Sequence, residues 1–221
     1  MKHKWVVCVL LLAMALLGAG FPFASYKVET TGACTNADIS DGIRIILQDQ
    51  GLRVVGDSGP LCEVWIRKVL PQSAASGTDY NTLAPGTFVG VIQYLGKGTD
   101  YRGQTVKPGI YTMRYQTMPS DGNHMGVAPT SDFFVLLPPS SDKDPDAVLE
   151  YQDIIKLGKQ ASGIAHIYPL NLTSPSGSGN ASMRSVDDSH WALEAKTKAQ
   201  SKGGAEIDFP IAVILVGKAE A

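Results

Sequence analysis

The feature that most narrows the folds open to this chain is a change of rhythm at Leu52. From there on, apolar and polar residues alternate with a period of two, in short runs cut by clusters rich in Gly and Pro. Residues 52–55 and 61–69 flank the cluster Gly56-Asp57-Ser58-Gly59-Pro60 and predict a hairpin. Further strands are expected at 87–94, 109–117, 132–137, 164–170, 191–196 and 206–216, with turns such as Lys107-Pro108-Gly109 and Pro119-Ser120-Asp121-Gly122 between them. Strand and helix do not alternate regularly, so the expected fold is mainly β: a single-domain antiparallel β-sandwich with one or two short peripheral helices.

Two stretches keep a helical rhythm. Ile39, Ile43, Ile46 and Leu47 recur on one face, with Asp38 or Ser40 as cap and Gly51 as stop. Later, Asp144 caps, Pro145 takes the first helical position, and Val148, Leu149, Ile154, Ile155 and Leu157 mark a helix ending near Gly158. The stretch 173–188 is rich in Ser and Gly and reads as a mobile loop. The closing run 207–216 is almost wholly apolar, which suits a central strand covered on both faces, with a bend or bulge at Pro210.

The start of the chain carries a different message. Lys2 and Lys4 precede an apolar run from Trp5 to Leu17, followed by Gly18, Gly20, Ala24 and Ser25. A basic segment, a short apolar segment and small residues in that order predict a secretory signal peptide over 1–24, cleaved between about 20 and 25; the competing reading is an uncleaved anchor. The domain is then 25–221, and its place is periplasmic or extracellular. Cys34 stands too far beyond the apolar run to be a lipid-bearing cysteine.

The formal charge is −2, and cleavage removes Lys2 and Lys4, making the mature chain more acidic. The remaining Lys and Arg residues are scattered singly, which excludes a nucleic-acid partner. Membrane contact is expected only through the leader before cleavage. Cys8 leaves with the leader, and Cys34 and Cys62 remain as a pair for a disulfide, which persists outside the cytoplasm. Cys62 alternates with Val64 and Ile66, so the other reading is a small buried hydrophobe.

Candidate chemistry is sparse. Gly56 to Pro60 resembles the nucleophile loop of chymotrypsin-like serine proteases, but the His base that must precede the Ser is present only as His3, in the leader, so a hairpin turn is the better reading. His124, in Asp121-Gly122-Asn123-His124-Met125-Gly126, could join His166 and a carboxylate, Asp121 or Asp132, in a three-ligand metal site with one open position. The competing reading makes these histidines hydrogen-bonded spacers. Met113, Met118 and Met125 would suit a soft ion, yet Met113 alternates with Tyr111 and Tyr115 as core residues do. Glu63, Trp65 and Arg67 share a strand face: either Trp65 is exposed as a binding platform between two charges, or it is core and the charges pair at its rim. Asn171-Leu172-Thr173 and Asn180-Ala181-Ser182 match the glycan acceptor triplet.

The runs Tyr101-Arg102-Gly103-Gln104, Lys107 through Tyr115, Asp121 through Pro129, and Glu63 through Lys68 together resemble uncharacterised secreted bacterial proteins of unknown function. That resemblance implies bacterial export and a β-rich fold, and it carries no activity. The function expected is an exported, non-catalytic β-sandwich with a binding or structural role at the cell envelope, its partner an envelope component, a protein or a small ligand. No cofactor is expected on that reading. The alternative is a metal-dependent enzyme or metal-binding protein using His124 and His166.

Overall fold

The computed structural model describes residues 25–73, 76–119, 128–177 and 179–218; the leader lies outside them. The fold is mainly β, as the alternation predicts. One antiparallel sheet has seven strands in the order β1 (Lys27–Thr31), β2 (Gly51–Gly56), β3 (Gly59–Ile66), β5 (Phe88–Tyr94), β8 (Gly109–Thr117), β9 (Asp132–Leu137) and β10 (Pro169–Asn171). A smaller sheet pairs β12 (Trp191–Ser201) with β13 (Ile207–Val216) on one side. On its other side β12 pairs with β11 (Ser182–Ser185) and, in parallel, with β4 (Val69–Gln72). A two-stranded piece, β6 (Gly98–Thr99) and β7 (Thr105–Val106), lies beside them.

The two sheets face each other across one core. Val54, Cys62, Val64, Ile66, Ile92, Met113, Tyr115 and Leu136 from the larger sheet meet Leu193, Phe209, Ile211, Val213 and Leu215 from the smaller one. An isolated bridge, Leu172 to Val213, joins the sheets at one corner. The predicted hairpin forms as β2 and β3, with Asp57 and Ser58 as its turn. The expected continuation of β3 to residue 69 breaks after Ile66: the chain crosses at Arg67 and Lys68, and β4 joins the other sheet, where Thr197 Oγ1 donates to the Lys68 carbonyl at 2.9 Å.

The outer face of the larger sheet is covered as well, and this sets the position of the helices. Helix α1 (Asp41–Arg44) is shorter than expected; Ser40 caps it, accepting from Ile43 N. Past it the chain leaves the helix, because Leu47 pairs with Arg67 at the sheet. Cys34, Ile39, Ile43 and Leu47 lie over Trp65, Phe88 and Val91. Helix α2 (Tyr151–Ser162) lies over Phe133, Val135 and Leu137 through Ile154 and Leu157.

Helix α2 starts later and ends later than its sequence suggests. Arg114 captures the carbonyls of Asp144 and Ala147, which holds the segment before Tyr151 in a turn outside the helix. Gly158, expected as the stop, is inside the helix, where a Cβ would sit 2.8 Å from Ile167 and 2.9 Å from Val135. The helix ends at Gly163, whose φ of 70° suits a residue without Cβ.

Two further expectations are corrected. The Ser/Gly stretch 173–188 is not simply loop: it supplies β11, where Met183 packs on the core and Arg184 pairs with Glu194 at 2.6 Å. The register shift of the closing strand pair falls at Trp191 and Ala192, not at Pro210, which pairs with Lys196.

Candidate functional site

Among the sequence candidates, Glu63, Trp65 and Arg67 share a face as expected, but that face is covered. Trp65 is 4% exposed and its Nε1 donates to the Gly32 carbonyl at 2.8 Å. Glu63 accepts from Arg53 Nη2 at 2.5 Å, and Arg67 donates to Asp146 at 2.9 Å. The charges pair around a core tryptophan, so the binding-platform reading of Trp65 is overturned by the cover that residues 34–47 place over it.

Of the four proposed metal ligands, His124 and Asp121 lie outside the described residues. Asp132 accepts from the Tyr115 hydroxyl at 2.6 Å. His166 is exposed, with Nδ1 3.0 Å from the Ile167 carbonyl. Asp132 sits level with Leu172, whereas His166 lies beyond Tyr168 at the other end of the β9–β10 ladder. At about 3.3 Å per residue they are separated by roughly 13 Å or more, too far to share an ion. Among the described residues, no three His, Cys, Asp or Glu side chains come together as a metal set.

Cys34 and Cys62 are not brought together. Both are buried free thiols, Cys34 in the cluster around Trp65 and Cys62 in the core between the sheets, on opposite faces of β3. Burial raises both thiols above their ordinary range, Cys62 far more strongly, so neither is a nucleophile. Titration in guanidinium without reductant is expected to find two thiols per mature chain, and none in the folded protein; zero in the denaturant would establish a bridge.

His190 has the look of a catalytic base, with Nδ1 2.8 Å from the Asp187 carboxylate. Burial opposes ionisation of Asp187, but the Ser189 N–H and His190 outweigh it and hold its carboxyl below the usual range. Nε2, the nitrogen that would take a proton, lies 2.8 Å from the Tyr101 carbonyl, and the ring stacks on Tyr101 at 4.1 Å. Both nitrogens are engaged in holding the turn that carries Arg102.

That turn borders a cleft the sequence did not single out. Helix α2 presents Tyr151, Ile155 and Lys159, spaced four apart along one face, toward the β9–β10 edge. Phe133, Ile167 and Met118 supply its apolar wall, and the cavity holds about 240 Å3. Arg102 closes one end on a turn built around Asp100, whose carboxylate accepts from the Arg102 N–H at 3.0 Å and the Gln104 N–H at 2.8 Å. Burial raises the Asp100 carboxyl despite these bonds.

The floor of the cleft is its most informative part. Asn171 on β10 pairs across Phe133 on β9 with Gln116 on β8, so the three side chains form a row on the face beneath α2. Asn171 is 2% exposed and Gln116 1%. Neither Asn171 Nδ2 nor Gln116 Nε2 has a partner among the described residues. Leaving a buried donor unpaired costs about 1–3 kcal/mol. Asn171, buried and facing this cleft, is no glycan acceptor.

The signals were present in the sequence but spread over four segments. Tyr151, Ile155 and Lys159 fall at helical spacing, yet Asn171 and Arg102 meet them only through the pairing of β9 with β10 and the turn at Asp100. Comparison with protein-family models, curated proteins and solved structures finds no match.

Proposed function

We propose that this protein is an exported, non-catalytic binding protein of the cell envelope that holds a small molecule in the cleft between α2 and the β9–β10 edge. The observation that carries the reading is the cleft itself, a cavity of about 240 Å3 that sets Arg102 and Lys159 beside an apolar wall of Phe133, Ile155 and Ile167. An apolar cavity with a few polar groups at its edge is the usual form of a small-molecule site. The basic and apolar leader supports export, as does the resemblance to secreted bacterial proteins. Both described histidines spend ring nitrogens on backbone or carboxylate oxygens rather than on a hydroxyl or thiol, in keeping with binding rather than catalysis.

Protein recovered from an exporting bacterial host is expected to lack the leader and to carry a small-molecule adduct in native mass spectrometry. Ile155→Trp fills the cleft from a half-buried position on the outer face of α2 and is expected to lose the adduct while keeping the wild-type circular dichroism. No adduct on the wild type, or an equal adduct on the variant, overturns the reading.

A further inference from the structure

The charge of the cleft narrows what it holds. In a chain of net charge −2, the basic side chains lining this cavity are Arg102, Lys159 and His166, and no Asp or Glu lines it among the described residues. Neither the Arg102 nor the Lys159 side chain has a carboxylate partner among the described residues. The nearby acid, Asp100, is turned inward and engaged by two backbone N–H groups. His166 keeps Nδ1 on the Ile167 carbonyl, which leaves Nε2 for a ligand.

The rest of the cavity has the opposite character. Phe133, Ile155, Ile167 and Met118 form a greasy wall, and Tyr151 sits at the far end of the helix row from Lys159. A row that runs from aromatic to aliphatic to cationic along one helix face suits a ligand with an apolar body and one charged end. The cavity holds about 240 Å3, the low end of small-molecule sites.

On these grounds we propose that the cleft selects a small monocarboxylate with a compact apolar body. The carboxylate takes charged hydrogen bonds from Arg102 and Lys159, and the body lies on Phe133 and Ile155. The proposal rests on the reading of the cleft as the ligand site, and deepens it by naming the class of ligand. Guanidinium and ammonium groups at one mouth discriminate by charge, while the apolar wall discriminates by body. Dicarboxylates and sugars are disfavoured, since either would bury a second polar group against Phe133 and Ile155.

The test uses three probes of one chain length: octanoate, 1-octanol and octylamine. Each is titrated into the uniformly 15N-labelled mature protein, freed of copurified ligand by denaturation and refolding. Octanoate is expected to give saturable shifts of the Asn171 side-chain amide and of the Tyr151, Ile155 and Lys159 backbone signals, with the other two probes at least about tenfold weaker. Arg102→Ala with Lys159→Ala, both at exposed positions, is expected to weaken octanoate by at least about tenfold, the factor for loss of one charged hydrogen bond. Octanol bound as tightly as octanoate at the same signals, or octanoate insensitive to the double substitution, overturns the carboxylate and leaves the cleft standing as a ligand site. Absence of shifts from all three overturns the ligand class, and the copurified adduct then decides alone whether the cleft is a site.

Discussion

Asp142→Ala is expected to lower the free energy of unfolding by about 3–5 kcal/mol, the range for breaking a buried ion pair by removing one partner. The pair is fully enclosed: Arg114 is 1% exposed and Asp142 2%. Arg114 Nε donates to Asp142 Oδ2 at 3.0 Å and Nη2 to Oδ1 at 2.7 Å. The remaining donors go to the carbonyls of Gly86 at 2.7 Å, Ala147 at 3.1 Å and Asp144 at 2.7 Å, so all five N–H groups are used. Thr112 adds a hydroxyl to Asp142 at 2.6 Å. With Asp142 gone, the guanidinium keeps its charge and loses its counter-ion in a place water does not reach.

The same network explains how the covering layer is tied down. Arg114 fastens the segment before α2 to β8, Arg67 fastens it again at Asp146, and Ser40 reaches the Lys143 carbonyl at 2.6 Å. Asp142→Ala should therefore speed amide exchange through 144–150 before it affects β12 and β13. Arg114→Lys is not expected to rescue, because an ammonium offers three donors in place of a five-donor fork. Replacing both partners by Leu is expected to cost less than either single substitution, since no lone charge stays buried. Urea unfolding of these variants measures all of this, and a loss below about 1 kcal/mol for Asp142→Ala would show that the pair is solvated in the folded state.

How much of this could be read from the chain divides along one physical line. Alternation in 52–55 and 61–66 fixed the hairpin, because a period of two says which side of a strand is wet. The second layer over the larger sheet left a different trace. Phe88 to Ile92 and Phe133 to Leu137 are buried at every position, the pattern of strands covered on both faces. Once both faces of β3, β5 and β9 need cover, Trp65 is core and the segments 34–47 and 138–162 have to lie across them. The end of α2 was misread for a related reason: Gly158 looks like a stop in sequence, but close approach to Val135 and Ile167 is what asks for a missing side chain there. The cleft was beyond reach because Asn171 and Lys159 meet through strand register, and no local pattern encodes that.

Trp65→Ala is the second large effect, again about 3–5 kcal/mol, as for truncation of a buried aromatic. The indole fills the space above Gly51, where a Cβ would come within 2.4 Å of Trp65 Nε1. It packs with Cys34, Ile39, Ile43 and Leu47 on one side and Phe88 and Val91 on the other. The Gly32 carbonyl accepts from both Trp65 Nε1 at 2.8 Å and the Gly51 N–H at 3.2 Å, so the ring also helps hold the end of β1 to the start of β2. Trp65→Phe keeps most of the apolar contact and gives up the one hydrogen bond, so its expected cost above packing change is about 1 kcal/mol. An exposed tryptophan serving as a binding platform would behave otherwise, with alanine costing within about 0.5 kcal/mol and an envelope partner lost in its place. Denaturant midpoints of wild type, Trp65→Phe and Trp65→Ala that fall in that order, with octanoate still shifting the cleft signals of the folded fraction, would separate the core of the protein from its site; a wild-type midpoint for Trp65→Ala would mean that residues 34–47 do not cover the sheet in solution.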